Sequence, residues 1–216
     1  MAFVKHGKFI VFEGGEGAGK STQARLLCEA IAERGADVVS TREPGGTQGA
    51  ETIRQMLLHP PGEGWGAKAE ALLFAAARSD HVEKLIRPSL ERGAWVVCDR
   101  FIDSSRAYQG TAGELGDDVV NTLHAIGSDG LVPDLTIVLT ASTKATADRL
   151  LARDGKASDV IGGRPAQYHH AVNKAFLDFA SQDPDRFVVI DANGSIDEVQ
   201  ARVMQALDPV ITSFLS

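Results

Sequence analysis

Cysteine is scarce: Cys28 and Cys98 are the two found in 216 residues. Both fall in apolar segments and are expected as buried thiols. Two are too few for the disulfide framework of a small secreted scaffold. No apolar run approaches the length of a membrane span, and no signal-peptide pattern opens the chain. A cytoplasmic location is therefore expected. Cations are in the minority, 22 Lys and Arg against 29 Asp and Glu, for a net charge of −7. That balance argues against a protein whose main task is gripping a nucleic-acid backbone. It leaves room for a small anionic ligand held by a few local arginines. Internal repeats and low-complexity tails are also missing. The length suits one domain over residues 1–216, and 44% hydrophobic with 24% charged residues is ordinary for a globular core.

What is present centres on Gly14-Gly15-Glu16-Gly17-Ala18-Gly19-Lys20-Ser21, followed by Thr22. It fits G-x-x-x-x-G-K-[ST], the phosphate-binding P-loop. Lys8 to Phe12 reads as a buried strand before it. Ala24, Leu27, Cys28 and Ile31 recur at helical spacing after it. Strand, glycine loop and helix are the context the motif requires. The glycines let successive N–H groups turn toward phosphate oxygens, and the helix N-terminus adds partial positive charge. Lys20 supplies a full charge for the β- and γ-phosphates of a nucleoside triphosphate, and Ser21 can ligate Mg²⁺.

Further along, strands alternate with helices, which predicts an α/β fold with a parallel sheet. Short strands are expected over 36–41, 95–98, 135–139 and 187–191. A helix carrying Arg54 follows the tight Arg42-Glu43-Pro44-Gly45-Gly46-Thr47 loop. Helices are expected over 67–78 and 80–92, the second kinked or broken at Pro88. Phe101 to Gly113 is expected as a polar loop. Trp95-Val96-Val97-Cys98 delivers Asp99-Arg100, the Walker-B arrangement, with Asp99 near Mg²⁺ and its waters and Arg100 as a second anion site. Residues 153–165, polar and studded with Arg153, Lys156 and Arg164, are expected to form a mobile flap.

Two decoys exclude a switch GTPase. Asn173-Lys174-Ala175-Phe176 begins like a guanine-specifying N-K-x-D but ends in Phe. Asp191-Ala192-Asn193-Gly194 imitates D-x-x-G but follows the last strand. The remaining arginines sit at strand ends on the P-loop side, which favours a second, phosphorylated substrate.

At this point the chain resembles a known family over nearly its whole length. Phe12-Glu13-Gly14, Thr41 to Thr47, Ala76-Ala77-Arg78, Asp99-Arg100, Ala107-Tyr108-Gln109-Gly110 and Pro133-Asp134-Leu135-Thr136 resemble thymidylate kinase. The resemblance implies a P-loop NTPase fold, a three-layer α/β/α sandwich with a five-stranded parallel sheet. It implies ATP with Mg²⁺ as donor, dTMP as acceptor, and a homodimer. At matching positions, Glu16 would accept from the sugar 3′-OH and Tyr108 would pack under the sugar. Phe74 would stack on thymine and Arg78 would donate to a base carbonyl. Ser105 and Gln109 would lie at the base edge, and Arg54 and Arg100 would hold the dTMP phosphate. The family has two styles. One carries an arginine in the P-loop where this chain has Gly17; the other supplies the cation from the flap. This chain resembles the second, yet Val160 stands where an arginine is usual. Arg153 is the favoured replacement, with Lys156 and Arg164 as the alternatives. Arg149 is expected on a helix surface or at a phosphate.

Overall fold

The computed structural model describes residues 6–154 and 160–215, apart from the side chains of Arg153, Asp154, Pro209 and residues 213–215. Among these residues the chain runs β1 (Phe9–Glu13), α1 (Lys20–Glu33), β2 (Val38–Arg42), α2 (Gln48–Leu58) and α3 (Ala67–His81). It continues through α4 (Arg87–Glu91), β3 (Trp95–Asp99), α5 (Ile102–Ser105), α6 (Asp117–Ser128) and β4 (Leu135–Thr140). Then come α7 (Thr143–Asp154), α8 (Ala166–Gln182), β5 (Phe187–Asp191) and α9 (Ile196–Leu215). The five strands form one parallel sheet in the order β2-β3-β1-β4-β5. This is the expected α/β architecture, and it puts the β1 loop in the middle of the C-terminal edge, where open α/β sheets bind ligands.

Period-2 alternation divides the core. Ile10 and Phe12 of β1 join Leu27 and Ile31 of α1 and Val203 and Leu207 of α9 on one face. Phe9 and Val11 face Val82, Ile86, Leu90 and Val120 on the other. Both faces are covered, which is why β1, with all five residues buried, is an unbroken apolar run up to Glu13.

Two expectations need correction. The helix from Ala67 does not end near 78 and restart at 80. It continues through a π-helical turn over Val82–Ile86 into α4, with the Arg87 N–H donating to Val82 O, five residues back. A wider turn just ahead of Pro88 relieves the clash and the missing donor that would break an ordinary helix. Nor is Phe101 to Gly113 a loop. Ile102–Ser105 is helical and Arg106–Ala112 forms a second π-helical turn. Asp103, Ser105 and Gln109 are buried there, each with a hydrogen-bond partner. Asp103, fully buried, accepts from Arg106 at 2.9 Å and Arg186 at 2.7 Å, and Arg106 also holds Asp117. Among the described residues no helix is long and apolar enough to cross a membrane.

Candidate active site

Glycine is required in the loop after β1 by both conformation and space. Gly14 has φ +131°, and a Cβ there would lie 2.4 Å from Leu139 O. Gly17 has φ +72°, and its Cβ would lie 2.8 Å from Thr146 O and 3.0 Å from Leu150 Cγ. Arg149 of α7 reaches the same loop from behind, donating to Ala18 O at 3.3 Å and Ala192 O at 2.8 Å. It buttresses the loop rather than lying on an open helix surface. Lys20, buried at the start of α1, donates to Gly14 O at 3.1 Å and Gly15 O at 2.8 Å. Burial lowers its pKa to about 8, and the neighbouring Arg100 cation pushes the same way.

β3 lies beside β1, so its end brings Asp99 to the loop. Ser21 Oγ donates to Asp99 Oδ2, and Asp99 Oδ1 is buried without a hydrogen-bond partner among the described residues. A hydroxyl touching a carboxylate with a spare oxygen suits a hard cation that keeps most of its waters and phosphate ligands, as Mg²⁺ does. Among the described residues no cluster of three or more His, Cys, Asp or Glu forms a dedicated metal cage.

Arg100 takes φ +73°, an unusual conformation for a residue with a side chain. Its N–H is held by Phe12 O at 2.9 Å. The guanidinium pairs with Glu16 at 2.5 Å, reaches Ser104 Oγ at 3.1 Å and lies 5.2 Å over the Tyr108 ring. Burial disfavours its charge, but Tyr108, Glu16, Asp99 and Glu13 outweigh that and hold its pKa above the usual range. Glu13, at the end of β1 and fully buried, secures the turn after Arg100. It accepts from the N–H groups of Phe101 and Ser104, both at 2.9 Å, and from Ser104 Oγ at 2.6 Å. Burial pushes Glu13 up to about 7 against the opposing pull of Arg100. Burial likewise raises Tyr108, to about 12.

Glu16, Lys20, Ser21, Asp99, Arg100 and Tyr108 face one cavity of about 370 Å³. One part of its wall is cationic, with Lys20, Arg42, Arg54 and Arg100; Arg54 is anchored on Pro44 O at 2.8 Å and Arg42 on Glu51 at 2.9 Å. Another part holds Phe74, Arg78, Ser105, Tyr108 and Gln109. Arg78 is 3% exposed and fixed in place, its Nε donating to Glu43 at 2.7 Å and its Nη2 to Ser105 Oγ at 2.8 Å. Neither bond uses Nη1. Glu43 in turn meets His81 at 3.2 Å, and His81 meets Thr41 Oγ1 at 2.7 Å. A phosphate-binding loop, four cations and a wall of aromatic and hydrogen-bonding groups together can hold two anionic nucleotides. Their charge repulsion would be neutralised by the arginines.

The structure gathers Glu16, Lys20, Ser21, Arg54, Phe74, Arg78, Asp99, Arg100, Ser105, Tyr108 and Gln109 on one cavity. It does not bring Arg164 there. Arg164 pairs instead with Glu70 at 2.5 Å and lies 4.7 Å over the Tyr168 ring. The side chain of Arg153 and all of Lys156 lie outside the described residues; of the flap, Ile161 lines the cavity. Sequence reasoning missed Arg42, Ser104, the buried carboxylates Glu13 and Glu43, and the half-buried Glu70. For Glu13 and Glu43 a signal existed, since each stands at the end of a strand beside a glycine or proline.

A thymidylate kinase family model matches residues 12–203. The thymidylate kinase of Rhizorhabdus wittichii is 53% identical over 201 residues, covering 93% of this chain and 97% of that protein. That of Nitrobacter winogradskyi is 46% identical over 204 residues, covering 94% and 89%. The crystal structure of thymidylate kinase from Ehrlichia chaffeensis superposes with a TM-score of 0.77 at 32% identity, covering 94% of this chain and 99% of that one. With the P-loop, the Walker-B acid and the arginine-lined cavity in these positions, the chain belongs to the thymidylate kinase family.

Proposed function

We propose that the chain transfers the γ-phosphoryl group of ATP to dTMP, giving dTDP and ADP. The observation that carries this reading is that a single cavity joins Lys20 and the Ser21–Asp99 pair to Phe74, Arg78 and Gln109. Donor phosphates and a pyrimidine base thereby share one space. In the proposal, Gly14 to Thr22 hold the ATP phosphates, with Lys20 at the transferred group. Arg54 and Arg100 hold the dTMP phosphate. Glu16 accepts from the 3′-OH, and Tyr108 packs under the sugar and leaves no room for a 2′-OH. Phe74 stacks on the base, Arg78 donates to a base carbonyl, and Ser105 and Gln109 lie along its edge. An oxygen of the acceptor phosphate attacks the γ-phosphorus in line, the bond to the β–γ bridging oxygen breaks, and ADP leaves. The acceptor is already ionised, so no base is needed; the residues position two anions and neutralise them.

Mg²⁺ belongs to the same proposal. Ser21 and, partly through water, Asp99 would hold it, and when bound it spreads the phosphate charge. Residues 1–216 would act as one kinase domain with the flap at about 153–165, and Arg153 is the proposed flap cation. A cytoplasmic location follows from the intracellular nucleotides it would use.

A homodimer is proposed on the adjacent helices α3 and α6, where Leu72 is 55%, Val119 45% and Ile126 77% exposed. These are large apolar side chains with no cover in the monomer. Replacing Ile126 with aspartate is expected to halve the mass seen by analytical ultracentrifugation; an unchanged mass would remove this face from the proposal.

The functional reading is tested by ADP release with dTMP, dUMP, dCMP, AMP, the ribose analogue of dTMP, and no acceptor. Strong preference for dTMP is expected, with the ribose analogue disfavoured. Equal or better turnover with AMP or dCMP would overturn the assignment of the base wall.

A further inference from the structure

Glu70 lies on α3, one turn before Phe74, and both of its carboxylate oxygens are engaged. Oε1 accepts from Gln109 Nε2 at 2.9 Å, and Oε2 accepts from Arg164 Nη2 at 2.5 Å. Arg164 is itself braced by Tyr168, whose hydroxyl donates to Tyr108 O at 2.6 Å. Gln109 is 3% exposed and lines the cavity beside Arg78 and Ser105. An amide side chain can present either end, and its orientation is usually set by its neighbours. Here the neighbour is a carboxylate, which has no hydrogen to give and accepts only from the NH₂ end. One N–H of Nε2 is therefore committed to Glu70, which fixes which end of the amide faces it. Oε1 is left as the other end, and among the described residues no donor reaches it.

We infer that Glu70 is a positioning residue for base selection. It fixes Gln109 with the carbonyl end available to the base, so the site accepts a hydrogen bond at the ring nitrogen N3. Thymine carries N3–H and can donate there. Cytosine carries a lone pair at N3, which would meet the Gln109 carbonyl oxygen. Leaving a desolvated acceptor without its donor is costly, so discrimination follows from the orientation of one amide. This inference rests on the reading of the chain as a dTMP kinase and adds to it a residue that touches no substrate. Arg164 supports it by neutralising Glu70 from the side opposite Gln109.

The test is Glu70→Gln, isosteric but able to donate, so that Gln109 is free to turn over. The kcat/KM ratio of dTMP over dCMP is expected to fall about tenfold. The change should appear in the acceptor KM, with the KM for ATP unaltered. In a Gln109→Ala background the same substitution should leave the ratio unmoved. A ratio within about twofold of the unaltered protein's, or equal losses with both acceptors, would overturn the inference. So would the same fall in the Gln109→Ala background. A second measurement needs no substitution. dTMP methylated at N3 should lose at least about tenfold in kcat/KM with the unaltered protein, and use as efficient as that of dTMP would again overturn the inference. Failure of the unaltered protein to turn over dTMP would instead overturn the functional reading, and this inference with it.

Discussion

Replacing Lys20 with alanine is expected to cut kcat by roughly 10²–10³-fold while the protein stays folded. In the structure Lys20 is 6% exposed, and among the described residues its ammonium group donates to two backbone carbonyls of its own loop. Among the described residues no carboxylate forms an ion pair with it, so its removal breaks no buried ion pair there. The loss should fall on the step in which negative charge spreads over the transferred group. Steady-state turnover with saturating dTMP, beside a thermal melt of the same sample, checks both halves. Near-normal turnover would remove Lys20 from the reaction. A pH signature accompanies it. The folded-state pKa of Lys20 is near 8, below the ordinary 10.5. Between these values the unfolded chain binds more protons than the folded one, so stability should rise with pH across that window. The alanine variant lacks this contribution. Urea denaturation at about pH 8 and about pH 10 should show the two proteins diverging, the unaltered one gaining.

The second large effect is expected at Arg100. Its guanidinium links Glu16, Ser104 and the face of Tyr108, and its side chain is 17% exposed. In Arg100→Ala, kcat/KM for dTMP should fall by roughly 10²–10³-fold, carried by both KM and kcat, with a smaller change in the KM for ATP. Stability should fall as well, by about 1–3 kcal/mol, because the Glu16 carboxylate loses the Arg100 charge in a partly desolvated site. Arg100→Lys should recover stability better than activity, since a point charge replaces the pairing but not the planar fork. Calorimetric titration with dTMP separates the outcomes. Unchanged dTMP affinity in the alanine variant would assign Arg100 to structure alone.

Much of this was legible from local signals. The P-loop is contiguous, its flanks are periodic, and Asp99-Arg100 ends an apolar run, so neighbouring residues carried the argument. The stretch around Tyr108 was not legible. Asp103 and Arg106 look like surface residues by type, and only Arg186, from the turn before β5, turns them into buried partners. No window along the chain contains that pair. The carboxylates that orient the arginines were hidden for the same reason. Glu13 meets Ser104, Glu43 meets Arg78, and Glu70 meets Arg164, each across different elements. No helix end falls near residue 79, since α3 runs on to His81, and the chain meets Pro88 by widening into a π-helical turn, a remedy the proline itself does not announce.

Gly17 bears on the history open to this protein. Some thymidylate kinases are expected to place an arginine at that position, relieving the flap of its charge. Here φ is +72°, and a Cβ would press on Thr146 O and the Leu150 side chain of α7. Any side chain is therefore penalised before its charge can help. Crossing from one style to the other is a coordinated change, in which α7 must first recede, and not a single step in sequence space. Lineages built on this backbone would instead be expected to explore replacements within residues 153–165. Val160 is consistent with such drift.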